Sequence, residues 1–514
     1  MTAVHAWLHR QPPGYRLTFG RILAIYSGLM TALLLASLDQ TIVATALPRI
    51  VSDLGGLAYY SWVFTAYVLA MTVTVPLYGK LGDIYGSKPL FVFAISVFLL
   101  GSALCGLAWG MPELVAFRAV QGVGAGGLFA LTHATIGRIV PPRARGRWQA
   151  LIGVTFAIGS IAGPALGGVI VDNASWRWVF YVNIPIGLLA LGVIALTMPR
   201  RAPRRHHSVD YRGAVLLGGA TLALMLGLSW GGRGYDWGSP EVLGAFAFSA
   251  VLLAAFGMVE RTVREPILPF ELLRRPTVAA GIASTGLAGM AMFGVIAFVP
   301  LFVQGVIGSS ATSSGVVLTP FMLAVVGTSI LTGQWISWTG RYKPNALAGP
   351  VVLGIGLLLL STMDTSTTTQ QAAGYMVVSG MGLGLMMQTF VVAVQNSVPL
   401  DSMGSATALT QFSRSIGTTL GVTLMGVIIN LGLPSGVQLE GETVHRLSPA
   451  LRADLADALQ PAFLAAAFVC LILFVVVVVG IHEVPLRRGF EEAPQPETAV
   501  GGVTPEQVEA PTRL

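Results

Sequence analysis

The stretch PLFVFAISVFLLGSALCGLAW, Pro89–Trp109, runs for a helix's worth of chain without one charged residue. The hydrocarbon core of a bilayer takes roughly 20 apolar residues per helix. Working outward, runs of that kind recur at about 22–46, 59–79, 111–135, 148–171, 177–198, 212–231, 240–260, 277–303, 312–335, 345–363, 371–396, 405–431 and 460–482. With the first stretch they predict an all-α integral membrane protein of fourteen spans. Composition agrees, since the 514 residues are 54% hydrophobic and 10% charged, against about 25% charged in a soluble domain. So few charges cannot cover a water-facing surface, so most of the outside must meet lipid. The first run begins near Arg21 and is too long for a cleaved signal, so it is expected to stay as the first span.

The formal net charge is +7, but the basic residues sit in short loops between apolar runs. That pattern points to membrane topology and away from a nucleic-acid partner. An even number of spans puts both termini on one side. With that side cytoplasmic, 23 of the 30 Lys and Arg fall inside, five fall outside, and Arg118 and Arg414 lie within spans. Cys105 and Cys470 each lie in an apolar run, which supplies neither a disulfide framework nor a metal-ligand set. Neither a cofactor nor a metal is expected.

An internal repeat divides the chain. Gly79 to Pro89 follows the second span and Gly333 to Lys343 follows the tenth, each with Gly at its first and eighth positions. Two six-helix bundles follow, over 1–200 and 266–484, with two extra helices and linkers over 201–265 between them. The segment 485–514, rich in Pro, Glu and Gly, is expected to be a disordered cytoplasmic tail. The extra helices show no clear polar functional residue and are expected to pack outside the bundles.

Asp39 stands inside the first span, where a carboxylate costs about 2.5–3.5 kcal/mol to insert and is functional by default. Counting along the helices at about 1.5 Å per residue puts Asp39 and Arg118 at the same depth, roughly 10–12 Å below the outer surface. A pair of that kind titrates according to its separation, because desolvation favours the neutral acid and a guanidinium favours the anion. Gly159, Gly163, Gly167 and Gly168 give the fifth span a small-residue face, and Pro164 bends it. The expected role is a seal between the two bundles. Asp83 in the first loop repeat is placed to meet a helix N-terminus or an arginine and latch one conformation. In the second repeat Ser337 holds the acidic position, so the latch is expected on one side only.

These segments resemble, in order along the chain, the major facilitator superfamily and its fourteen-span drug:proton antiporter branch. The resemblance rests on Leu38 to Pro48, Trp62 to Tyr67, Gly79 to Pro89, Arg118 to Gly124, Gly159 to Gly168, and Trp176 to Pro185. Gln411 to Gly417 is similar to that branch's thirteenth helix. Ile84 and Ser87 depart from the pattern, standing where the family is usually basic. The resemblance implies a major-facilitator fold and a transporter, not an enzyme. It marks Asp39 for proton or substrate binding, where proton exchange tuned by Arg118 is the expectation, and it implies a conformational role for Gly79, Asp83, Gly86, Gly163, Pro164 and Gly167. Tyr67, Gln121, Gln411 and Arg414 are candidates for a substrate cavity.

Gly122 to Gly127 imitates a dinucleotide-binding loop but lies inside an apolar span with no preceding strand. With no phosphate-binding loop, energy must come from an ion gradient, and one charge crossing is worth about 2.3 kcal/mol per 100 mV. The expectation is a proton-coupled antiporter that exports amphipathic drug-like small molecules across the bacterial cytoplasmic membrane by alternating access. The alternatives are export of an endogenous lipid, siderophore or antibiotic, and proton-coupled uptake. Its expected partners are the small-molecule substrate, protons and the lipid bilayer.

Overall fold

A computed structural model describes residues 17–55, 59–199, 210–232, 235–263, 266–268, 270–308, 311–433, 448–484 and 486. The expected tail over 485–514 therefore lies, except for Leu486, outside the described residues. The long helices, in chain order, are α1 (Phe19–Leu54), α2 (Tyr60–Tyr85), α3 (Ser87–Gly106), α4 (Met111–Ile139), α5 (Pro142–Asn173) and α6 (Trp178–Thr197, in two pieces around Val182). The extra pair is α7 (Tyr211–Trp230) and α8 (Pro240–Glu260). The second half holds α9 (Pro276–Gly305), α10 (Ala311–Thr339), α11 (Lys343–Leu360), α12 (Thr369–Asn396, broken after Met386), α13 (Met403–Gly432) and α14 (Pro449–Gly480). Thirteen described segments are long and apolar enough to cross a membrane. The thirty-residue α9 completes the expected fourteen.

Each helix obeys local rules. Thr18, Asp210, Ser239, Thr368 and Ser448 accept from free backbone N–H groups at the starts of α1, α7, α8, α12 and α14. The two loop repeats use their glycines alike. At the eighth position, Gly86 (φ 83°) and Gly340 (φ 72°) make the tight turns after α2 and α10, a conformation that other residues resist. At the first position, Gly79 lies against Gly404 and Ala408 of α13, and Gly333 lies against Gly146 and Ala150 of α5. A Cβ at Gly333 would come within 2.6 Å of the Gly146 carbonyl oxygen. Both glycines let a helix from one half of the chain cross a helix from the other at backbone distance.

One set of apolar cores is built mainly from residues of α1 to α6, joined by Ala408 of α13, and a second from residues of α9 to α14. Of the two extra helices, α7 packs against both halves of the chain. Met225 and Leu228 of α7 pack with Leu69 of α2, against Ile416 and Leu420 of α13. Leu217 of α7 packs with Phe256 of α8, against Leu77 and Phe412. Helix α7 therefore covers the seam where the two halves meet. Helix α8 lies beyond it, with Leu243, Phe248, Val251 and Met258 exposed as a lipid-facing surface would require.

Helix α5 packs on α10 of the other half, but its glycine stripe faces its own half. Gly159, Gly163 and Gly167 lie opposite Ser37, Thr41 and Thr45 of α1, in the same half. Their four-residue spacing stacks them on one stripe, and the matching spacing on α1 sets a hydroxyl residue against each. The Thr41 hydroxyl donates to the Gly159 carbonyl (3.0 Å) and Ser37 to that of Phe156 (3.2 Å). Gly146 and Ala150, near the start of α5, are among its residues that reach the other half. A Cβ at Gly163 would lie 2.7 Å from the Thr41 Cβ, whereas one at Gly168 meets nothing within 4 Å. Gly163→Val should therefore cost about 1–3 kcal/mol through overpacking and lower the melting temperature in detergent. Gly168→Ala should leave it unchanged.

Candidate functional site

Asp39 lies fully buried inside the first six helices. Its Oδ2 accepts from Arg118 Nη1 at 2.5 Å, and its Oδ1 from Gln121 Nε2 at 2.7 Å and Asn183 Nδ2 at 2.9 Å. Arg118 and Gln121 are three residues apart on α4, so both reach the same point on α1. Arg118 Nη1 also donates to Gln121 Oε1 (2.7 Å), and its Nε donates to the Val63 carbonyl (3.2 Å). The guanidinium lies over the Tyr67 ring, 4.2 Å from its centroid, a cation–π contact in a dry setting. Ser102 of α3 accepts from Gln121 (3.2 Å) and Asn183 (3.0 Å) and donates to the Phe180 carbonyl (2.8 Å). Four helices thus converge on one carboxylate.

The network is not saturated. Arg118 Nη2, Asn183 Oδ1 and the Tyr67 hydroxyl are buried with no hydrogen-bond partner among the described residues. Asn183 and Ser102 belong to the site and carried no signal of their own in the sequence. Asn183 falls within the Trp176–Pro185 motif, and Ser102 lies in the opening stretch as one polar residue among apolar ones.

A second site lies at the end of the molecule that carries the arginine-rich loops, here the basic end. The Asp83 carboxylate pairs with Arg138 of α4. It also accepts from the backbone N–H groups of Gly404 (2.8 Å) and Ser405 (2.7 Å) and from the Ser405 hydroxyl (2.7 Å). It therefore occupies the N-terminus of α13, where unpaired N–H groups and the helix dipole favour an anion. Ser87 departs from the family pattern but takes part, accepting from Arg138 Nη1 at 2.7 Å. The cation comes from α4.

The other side is also tied, by different chemistry. Arg143 of α5 donates to the Ser337 carbonyl (2.8 Å) and the Trp338 carbonyl (2.5 Å) at the end of α10, where a cation suits the helix terminus. Between the two ties, Gln395 of α12 is buried. It accepts from Gln149 (2.7 Å) and donates to the His133 carbonyl (3.1 Å) and Thr407 (3.1 Å), while Arg145 donates to its backbone carbonyl (3.2 Å). Sequence reading counted Arg138, Arg143 and Arg145 only as topology charges and passed over Gln149 and Gln395. Their crowding between two spans was the available signal.

At the opposite end the halves separate around a cavity of about 450 Å³. Its walls come from α2 (Phe64, Val68), α7 and the loop after it (Leu228, Trp237), α9 (Phe298) and the outer half of α13 (Thr419, Asn430). None of its lining residues carries a charge. Of the residues named as cavity candidates, Tyr67 and Gln121 belong instead to the Asp39 network. Gln411 and Arg414 lie below the cavity on α13. Helix α2 carries both the ring beneath Arg118 and one cavity wall.

The sequence model of the Major Facilitator Superfamily matches residues 29–422. The chain belongs to the major facilitator superfamily. It is 38% identical over 406 residues to the multidrug transporter protein MdtP of Bacillus subtilis (strain 168), covering 79% of this chain and 75% of that one. It is 39% identical over 402 residues to multidrug resistance protein 3 of the same organism, covering 78% of each. Among solved structures, the proton:xylose symporter XylE shares the fold, with a TM-score of 0.62 at 13% identity over 90% of this chain and 96% of that one. This superfamily member is a multi-pass membrane transporter, not an enzyme.

Two substitutions probe the buried chemistry. Arg118→Met leaves the Asp39 carboxylate without its countercharge and should cost about 3–5 kcal/mol. Adding Asp39→Asn should recover most of that in thermal unfolding. At the basic end, Asp83→Asn removes a charged partner worth about 1.5–3 kcal/mol. It should lower the population closed there by about tenfold or more, read as a longer distance between spin labels at the exposed Arg147 and Thr339.

Proposed function

We propose that this transporter exports amphipathic drug-like molecules across the bacterial cytoplasmic membrane in exchange for protons, by alternating access. In this reading residues 1–200 and 266–484 are the two bundles that rock about the cavity. The basic end, with both termini, faces the cytoplasm. The observation that carries the reading is where the ties between the halves lie. Asp83, Arg138, Arg143, Arg145 and Gln395 close the basic end, and a cavity opens between the halves at the other. That arrangement is the outward-facing member of an alternating pair.

Asp39 is the proton site of this reading. It sits in a dry network in which every donor to the carboxylate is an N–H, which suits the ionised acid. Movement of α2 shifts Tyr67 and the Val63 carbonyl, both of which hold Arg118. A displaced guanidinium leaves a desolvated carboxylate, which takes up a proton. Ser87, Arg138 and the α13 N-terminus make Asp83 a breakable lock that forms in one state. The names of the two Bacillus relatives support drugs as the substrate class.

The test uses acidified inverted vesicles, with proton release followed while a panel of lipophilic dyes and antibiotics is added. Wild type should release protons on substrate addition and Asp39→Asn should not. Release that persists in the mutant removes Asp39 as the proton site. Accumulation in the opposite direction would make the protein an uptake carrier.

A further inference from the structure

Arg414 is a charge that the transport mechanism above does not use. It lies on α13, a span, where an arginine is expensive unless something answers it. Among the described residues it makes no ion pair, and no carboxylate offsets its burial. It is nevertheless partly accessible. Its surroundings place it at the seam between the halves. It lies within Coulombic reach of His133 on α4, across that seam. A Cβ at Gly289 of α9 would meet both the Arg414 Cγ and the Thr418 Oγ1 at 3.2 Å. Thr418 lines the cavity, so the Arg414 stem starts where the cavity floor ends. Three residues before it, on the same face of α13, Gln411 is 3% exposed and its amide oxygen has no partner. The orientation of that amide is a choice between O and N, so Gln411 presents either an unused acceptor or an unused donor.

The cavity itself is apolar with hydroxyl groups and has no acidic residue among its lining. A cation placed there would find no countercharge and a repelling arginine below. We infer that the cavity, Gln411 and Arg414 form one binding site for an amphipathic organic anion. Its apolar body lies between α2, α7 and α13, and its carboxylate or similar group is directed down to Arg414. Phe64, Phe298 and Trp237 supply flat apolar walls, and Trp237 comes from the loop after the extra helix α7. The extra pair therefore helps to bound the ligand. This inference rests on the export reading and narrows its substrate class. Anion export against proton entry moves two charges in the same electrical sense, so the membrane potential drives both.

The test is equilibrium binding to the full-length protein in zwitterionic nanodiscs, with three probes that share one apolar body: pyrenebutyrate, pyrenebutanol and pyrenebutyltrimethylammonium. Wild type should bind pyrenebutyrate at least about tenfold more tightly than the cation, as a charge-assisted contact requires. Arg414→Gln should remove that preference while leaving pyrenebutanol unchanged, Arg414→Lys should keep it, and Arg414→Glu should invert it. Thr419→Trp, which fills the cavity, should weaken all three. Binding is read at equilibrium with no proton gradient, so failure of proton exchange alone leaves this site standing. Equal binding of anion and cation by wild type, or an anion preference that survives Arg414→Gln, overturns the inference. If wild-type vesicles release protons on pyrenebutyrate addition, the bound anion is an exported solute. If phosphatidylglycerol displaces the probe without proton release, it is a bilayer lipid.

Discussion

A carboxylate in the hydrocarbon layer has no water to answer it, so the protein has to supply every partner itself. Asp39 imposes that demand, and the first six helices are arranged to meet it. Arg118 and Gln121 approach from α4, Ser102 from α3 and Asn183 from α6. For these side chains to converge, the helices have to come close, and glycine makes that possible. Gly101 lies against the backbone of Gln121, and Gly122 lies near the Tyr67 carbonyl. Gly159, Gly163 and Gly167 bring α5 onto α1 beside Asp39. With little hydrophobic drive between helices in lipid, such close packing and the polar contacts it permits hold the bundle together.

The same economy of charge governs the two ends. At the basic end the halves are joined by charged and polar contacts that a small separation would break: a carboxylate on a helix N-terminus, an arginine on a helix C-terminus and a buried glutamine between them. Backbone crossings at Gly79 and Gly333 bring the partners within reach. At the other end the halves meet through apolar and hydroxyl surfaces around a cavity. Ties at one end and a cavity at the other fit the proposed alternation, because packed interfaces switch between arrangements and do not deform continuously. Helix α7 lies along α2 and α13, one helix from each half, and so covers their seam from the lipid side.

Much of this was legible in the sequence. Length and apolarity set fourteen helices, because a span in lipid satisfies its backbone only within itself. The rarity of charge in those spans singled out Asp39 and Arg118, and helical rise placed them at one depth. The loop repeat foretold the shared use of Gly79 and Gly333, and the family motifs pointed to the superfamily. Asp83 was legible as a partner for a helix N-terminus or an arginine, and it meets both.

Tertiary structure alone decided the rest, for reasons of contact. A glycine stripe announces close approach but not the partner, and Gly163 faces Thr41 of its own half, not the opposite bundle. Tyr67 and Gln121 were named as cavity candidates, and rotation about the helix axis turns them to Arg118 and Asp39. Gln395 looked like any polar residue near a helix end and turned out to be the plug between halves. Arg138 and Arg143 looked like topology charges, and they hold Asp83 and the end of α10. The sequence by itself determined which residues lie in the membrane and at what depth, because those follow from chain length and polarity along one helix. Which faces meet, and so where the seam, the cavity and the locks fall, depends on the mutual rotation and crossing of helices far apart in the chain, and only their packing together sets that.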